Sequence, residues 1–179
     1  MALLLLAAGC GHGVDRSKPV TLPSPASTGS TSASTVPSTS LSAEDSVRAA
    51  YVRYWEVMVE SRAQPDRRSL RNFLARYLAD PFLTYQVGYA ELRRQKHQVI
   101  EGRFIPHITS VKVAGNGKDS RAYVADCQDA SGVVIRDSRT GKVVKGSRGS
   151  ARRSVTMTFV RTPDGRWFAL DFAESKKKC

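Results

Sequence analysis

The hydrophobic period of this chain changes once, near Gly102, and that switch confines it to a mixed fold with helices first and strands last. Before the switch, Val47, Tyr51, Tyr54, Trp55 and Met58 recur at helical spacing. Ser42, with Asp45 three residues later, reads as a capping box in front of them. Pro65-Asp66 restarts the chain, and Leu70, Phe73, Leu74, Tyr77 and Leu78 form a second helical stripe. Asp80-Pro81 reads as an N-cap followed by proline at the first helical position, with Phe82, Tyr85, Tyr89 and Leu92 carrying a third helix to about Gln95. After Gly102 the period is two. Residues 108–113 alternate into Gly115-Asn116-Gly117, a strong hairpin turn. Ala122, Val124 and Asp126 then face one way and Tyr123, Ala125 and Cys127 the other. Val155, Met157 and Phe159 alternate with Thr156, Thr158 and Val160, and Pro163-Asp164-Gly165 returns the chain into a last strand, residues 167–173. Residues 132–150 read as a short strand and a Gly- and Lys-rich loop. Helices segregated before an antiparallel meander give an α+β domain.

Upstream of this domain the character is different. Residues 1–9 are an apolar leader of signal-peptide length, and Ala7-Ala8-Gly9 directly before Cys10 resembles a bacterial lipobox, although no Lys or Arg precedes the apolar run. That resemblance implies cleavage before Cys10 and acylation of its sulfur, which fixes a soluble domain to the outer face of a cell membrane; the plain alternative is a short buried segment with a chance cysteine. Residues 19–42 contain no charge, and 13 of the 24 are Ser or Thr. Such a stretch buries too little apolar surface to offset chain entropy, so residues 10–42 are expected to be a disordered tether. The organisation expected is therefore a leader over 1–9, a tether over 10–42 and one domain over 43–179. The full length of 179 residues, 41% of them hydrophobic, excludes a wholly disordered chain, and the longest apolar run is too short for a polytopic membrane protein.

Three helices before a curved antiparallel sheet of four to six strands resemble the nuclear transport factor 2-like cone. Several segments resemble a narrower group, secreted actinobacterial proteins, many of them lipoproteins: Ala50-Tyr51-Val52-Arg53-Tyr54-Trp55, Leu74-Ala75-Arg76-Tyr77-Leu78-Ala79, Gly102-Arg103, Asp126-Cys127, Gly165-Arg166-Trp167 and the terminal Cys179. The resemblance covers residues 43–179 and implies a fold and a compartment rather than an activity. If Cys10 is acylated, Cys127 and Cys179 remain as an even pair in an oxidising compartment and are expected to form a disulfide; the alternative is a buried free Cys127 and a frayed Cys179.

Cones of this kind often enclose a pocket, here with Tyr51, Trp55, Tyr85 and Trp167 as candidate lining residues. Ketosteroid isomerases and polyketide cyclases use an Asp in such a pocket as general base, which makes Asp126 and Asp171 candidates by residue type and strand phase. Pairing with arginine, or an exposed position, is the competing expectation for both. His12, His97 and His107 are not spaced as metal ligands, His97 reading as a helix C-terminal dipole partner, so no metal and no cofactor is expected. Hydrolase, P-loop and dinucleotide motifs are missing from the sequence. The formal charge of +12 is clustered at Arg67-Arg68, Arg93-Arg94, residues 142–148, Arg152-Arg153 and residues 176–178. Outside the cell such charge favours anionic lipid headgroups or acidic wall polymers over nucleic acid. Three functional readings follow: a non-enzymatic envelope module binding a polymer or another envelope protein, an isomerase- or cyclase-like enzyme, and a structural subunit of an envelope assembly.

Overall fold

The computed structural model describes residues 41–117, 120–176 and 179; the leader, Cys10 and the tether up to residue 40 lie outside the described residues. Helix α1 (Ala43–Glu60) starts where the capping box places it. The Ser42 hydroxyl accepts the Asp45 amide at 3.0 Å and donates to the Asp45 carboxylate at 2.6 Å. Val47, Tyr51, Tyr54 and Trp55 are buried, Met58 is half-buried, and Val57, off the expected stripe, is buried as well.

Helix α2 (Arg67–Leu74) is capped by Asp66, whose carboxylate accepts the Ser69 amide at 2.9 Å. Its apolar stripe outlasts the helix. Beyond Leu74 the chain turns, Tyr77 O accepts the Ala169 amide at 2.9 Å, and the Ala79 amide donates to Ala169 O at 2.8 Å. Leu78 is therefore buried against a strand edge, because that edge offers the backbone partners that another helical turn would have used. Helix α3 (Phe82–Gln95) begins one residue later than expected. Pro81 occupies the cap position rather than the first turn, and the Asp80 carboxylate caps from behind it, accepting the Thr84 amide at 3.1 Å. The inward stripe of α3 also differs. Phe82, Leu83 and Val87 are buried, whereas Tyr85 and Leu92 face solvent.

Four strands form an antiparallel sheet in the order β2 (Ile108–Ala114), β3 (Arg121–Gln128), β5 (Arg153–Arg161), β6 (Trp167–Glu174). A separate ribbon pairs β1 (Gln98–Glu101) with β4 (Val134–Asp137), so the strands divide into four and two rather than one continuous sheet. Strand β1 went unpredicted. His97, at φ 53°, ends α3 in the left-handed region and turns directly into it, its carbonyl accepting the Ser138 amide at 2.7 Å. That makes His97 an exposed turn residue at the helix end. Gly102, at φ 85°, closes the ribbon where a Cβ would lie 2.0 Å from the Gly132 carbonyl oxygen, so no side chain fits there.

The inward face of the large sheet carries Val111, Ala122, Val124, Val155, Met157, Phe159, Trp167 and Ala169, which pack with α1 into one core. Tyr51, Phe159 and Met157 are almost wholly buried, each worth about 1.5–3 kcal/mol of burial. A bulge separates Thr158↔Asp171 from Phe159↔Ala169 and inverts the phase of the end of β6. Phe172 consequently turns toward the core and Asp171 away from it. Cys127 and Cys179 are disulfide-bonded, with Cα atoms 5.7 Å apart, so the chain end is fastened to β3.

Candidate functional site

The inward phase of β3 places a carboxylate in the core. Strand β3 lies between β2 and β5, so Asp126, in step with Ala122 and Val124, is only 2% exposed. A buried carboxylate needs donors, and two reach it. The Tyr51 hydroxyl crosses from α1 and donates to Asp126 Oδ2 at 2.5 Å. The His107 amide, just ahead of β2, donates to Oδ1 at 2.5 Å. Burial first, and then the hydrogen bond to Asp126, push the Tyr51 hydroxyl well above the ordinary tyrosine range, so it stays a neutral donor at physiological pH. Among the described residues, no arginine is within ion-pair distance of Asp126.

One step further along the same face, Gln128 is fully buried. Its register partner on β5 is Arg153, whose Nε donates to Gln128 Oε1 at 3.0 Å. The Arg153 guanidinium lies over the rings of Phe104 and Phe172, 5.0 and 5.6 Å from their centroids, and its Nη1 sits 3.3 Å from the Glu174 carboxylate. Among the described residues, Gln128 Nε2 has no hydrogen-bond partner. Trp55 closes the cluster, 4.6 Å from Phe104 and 6.2 Å from Phe172 between ring centroids. Sequence reasoning missed Gln128, Arg153, Phe104 and Phe172. Extending the alternation of Ala122, Val124 and Asp126 by one step would have found Gln128; the bulge hid Phe172.

Beside this cluster lies a cleft of about 100 Å³, lined by Val52, Trp55, Glu56 and Val59 of α1 with Arg103, Phe104 and Pro106. Small-molecule sites usually enclose about 300–1,000 Å³. A shallower depression of about 430 Å³ sits at Gln64, Ser69, Asn72, Phe73 and Arg76, on α2 and its approach, away from the sheet interior. Of the four residues expected to line a pocket, Trp55 alone borders the cleft. Tyr51 and Trp167 are core residues, their rings consumed by packing between α1 and the sheet, and Tyr85 is 63% exposed on the outer side of α3.

The two acidic candidates are not brought together. Asp171 is exposed by the β6 bulge and accepts its neighbour's amide, from Phe172 at 2.8 Å. A general base must reach the proton it removes, and Asp126 is 2% exposed with each oxygen already accepting one hydrogen bond. Among the described residues, no three His, Cys, Asp or Glu side chains are grouped to hold a metal ion.

No family model matches the chain, and no curated protein matches it. Among solved structures it is similar to the intermembrane-space region of the chloroplast protein ARC6, at 12% identity over 75% of this chain and 98% of that one, with a TM-score of 0.49. It is also similar to a de novo designed β-sheet protein solved by NMR, at 11% identity over 76% of this chain and 89% of that one, with a TM-score of 0.28.

Proposed function

We propose that this chain is a lipid-anchored extracytoplasmic module with a nuclear transport factor 2-like cone, which acts through its surface rather than through an interior pocket. One observation carries the reading: Asp126, the buried acid on the inward face of β3, already accepts from the Tyr51 hydroxyl and the His107 amide and is only 2% exposed, which reads as a group that holds the fold together rather than one that meets a substrate. A binding or accessory role in the cell envelope needs no such pocket. The Cys127–Cys179 bond supports a compartment outside the reducing cytosol, and it leaves Cys10 as the third cysteine of the sequence. Three helices preceding a four-stranded antiparallel meander support the cone. No helix among the described residues is long and apolar enough to cross a membrane, so the anchor in this reading is the acyl chains on Cys10. The formal charge of +12 fits anionic headgroups or acidic wall polymers on the same face of the membrane.

Radiolabelled palmitate fed to cells making the full chain tests the anchor. Label is expected on the wild type and not on Cys10→Ala, which should leave the membrane fraction. An unlabelled wild type would refute the anchor and the location that depends on it.

A further inference from the structure

The positive charge of this chain gathers on the β1–β4 ribbon and the segments that flank it. Residues 93–101 and 136–148 hold eight Lys and Arg against two acids, Glu101 and Asp137, so they carry half of the formal +12. Both acids are engaged. The Glu101 carboxylate accepts Arg136 Nε at 2.9 Å, and Asp137 accepts the Arg139 and Thr140 amides, each at 2.9 Å, with Arg139 Nη2 3.9 Å away. Arg93 lies over the Tyr89 ring and Arg94 pairs with Glu91 at 3.6 Å. Lys96, Lys142, Lys145 and Arg148 are exposed, with no carboxylate within ion-pair distance among the described residues.

These cations stand on a frame of backbone bonds. His97 O accepts the Ser138 amide, which sets Lys96 beside the turn that carries Arg139. The Asp137 amide donates to Lys142 O at 2.9 Å, Val144 to Ile135 O at 2.8 Å and Gly149 to Val133 O at 2.9 Å, so residues 142–149 run beside β4 as a third lane. Lys145 sits in a turn closed by the Ser147 amide on Val144 O, with Gly146 at φ 74°. Charges held this way lose little backbone freedom on binding.

Charge on an outer lane can simply guard it against strand pairing. The apolar residues among the charges say more. Val99 pairs with Arg136 and Arg136 bridges to Val143, so two valines, 43% and 44% exposed, flank Arg136 on one face. Guarding an edge needs no exposed valine, and neither does an acidic polymer, which cations alone would hold. Phosphates in front of a hydrocarbon layer use both.

We infer that this ribbon is a docking surface for anionic lipid, its exposed cations meeting headgroup phosphates while Val99 and Val143 reach the acyl boundary beneath. The inference rests on the envelope reading above for its compartment, but its test needs no acyl anchor. The chain from position 10 onward, carrying Cys10→Ser, should sediment with vesicles of equal parts phosphatidylglycerol and phosphatidylcholine, and not with phosphatidylcholine alone. Lys96→Gln, Arg139→Gln and Lys142→Gln together should weaken that binding at least about tenfold, whereas Arg67→Gln, Arg68→Gln and Lys112→Gln should change it less than about threefold. Val99→Thr with Val143→Thr should weaken vesicle binding about threefold or more and leave the melting temperature unchanged. No binding by the parent chain, equal losses in the two charge triples, or vesicle binding indifferent to the valine pair would overturn the proposal; the last, with tight binding to soluble polyphosphate, would assign the ribbon to a polyanion instead. A chain that takes palmitate but ignores these vesicles keeps the anchor and overturns the surface, and one that binds vesicles but takes no palmitate does the reverse.

Discussion

Replacing both Cys127 and Cys179 by alanine should lower the unfolding free energy by about 4 kcal/mol and the melting temperature by on the order of 10–20 °C. The cysteines are 52 residues apart, so in the unfolded chain the bond closes a loop holding β4, β5 and β6. Most of the effect arises there. In the folded domain the bond fastens only the few residues beyond β6, while β5 and β6 stay paired as far as Val155↔Glu174, and the Ser175 amide bonds Ser154 O at 2.9 Å. The double-alanine variant should therefore fold to the same structure and simply melt earlier. Urea unfolding of the two proteins measures the difference; a change below about 1 kcal/mol would mean that the bond contributes little constraint to the unfolded ensemble.

The second large effect belongs to Asp126. Asp126→Ala strands the buried Tyr51 hydroxyl and the part-buried His107 amide and opens a small void beside them. Each orphaned donor costs about 1–3 kcal/mol, so a total loss of about 3–5 kcal/mol is expected. Asp126→Asn should cost clearly less. Its remaining oxygen can still accept from His107, and the Tyr51 hydroxyl can rotate to accept from the new amide. Tyr51→Phe removes one donor and should cost an intermediate amount. In a double-mutant cycle, Asp126→Ala and Tyr51→Phe should show a coupling of at least about 1 kcal/mol, because both remove the same bond. Near-additivity, or an Asp126→Ala penalty under about 1 kcal/mol, would show that this carboxylate is not the structural group its geometry describes.

What the sequence disclosed and what it concealed separate by range. The three helices and four long strands are written in periods of a few residues, with Ser42, Asp66 and the turn glycines as punctuation, and the structure reproduces them. The Cys127–Cys179 pair was expected only on the condition that the lipobox resemblance set Cys10 aside, and the structure shows the bond itself. Strand β1 is four residues long, directly follows a helix and gains its identity from β4, some 35 residues away, so no local period marks it. Asp171 was misplaced because a bulge shifts phase without leaving any trace in residue type. The inward placement of Asp126 was readable from Val124 and Ala122, but its donor Tyr51 lies 75 residues upstream and is supplied only by the packing of α1 on the sheet. Helix α3 shows the limit most clearly. Of Phe82, Tyr85, Tyr89 and Leu92, the residues that mark the helix in the sequence, the core takes Phe82, together with Leu83 and Val87, while Tyr85 and Leu92 face solvent. A hydrophobic stripe states that a face wants cover, and tertiary packing decides what covers it.

The most direct test of the account is the intact mass, under native conditions, of the protein extracted from the membranes of its own cells. The account requires a chain beginning at acylated Cys10, two hydrogens lighter than the reduced form because Cys127 and Cys179 are joined, and free of any retained small molecule. A chain beginning at Met1 with free thiols in the cytosolic fraction, or a stoichiometric ligand held by the folded domain, would contradict it.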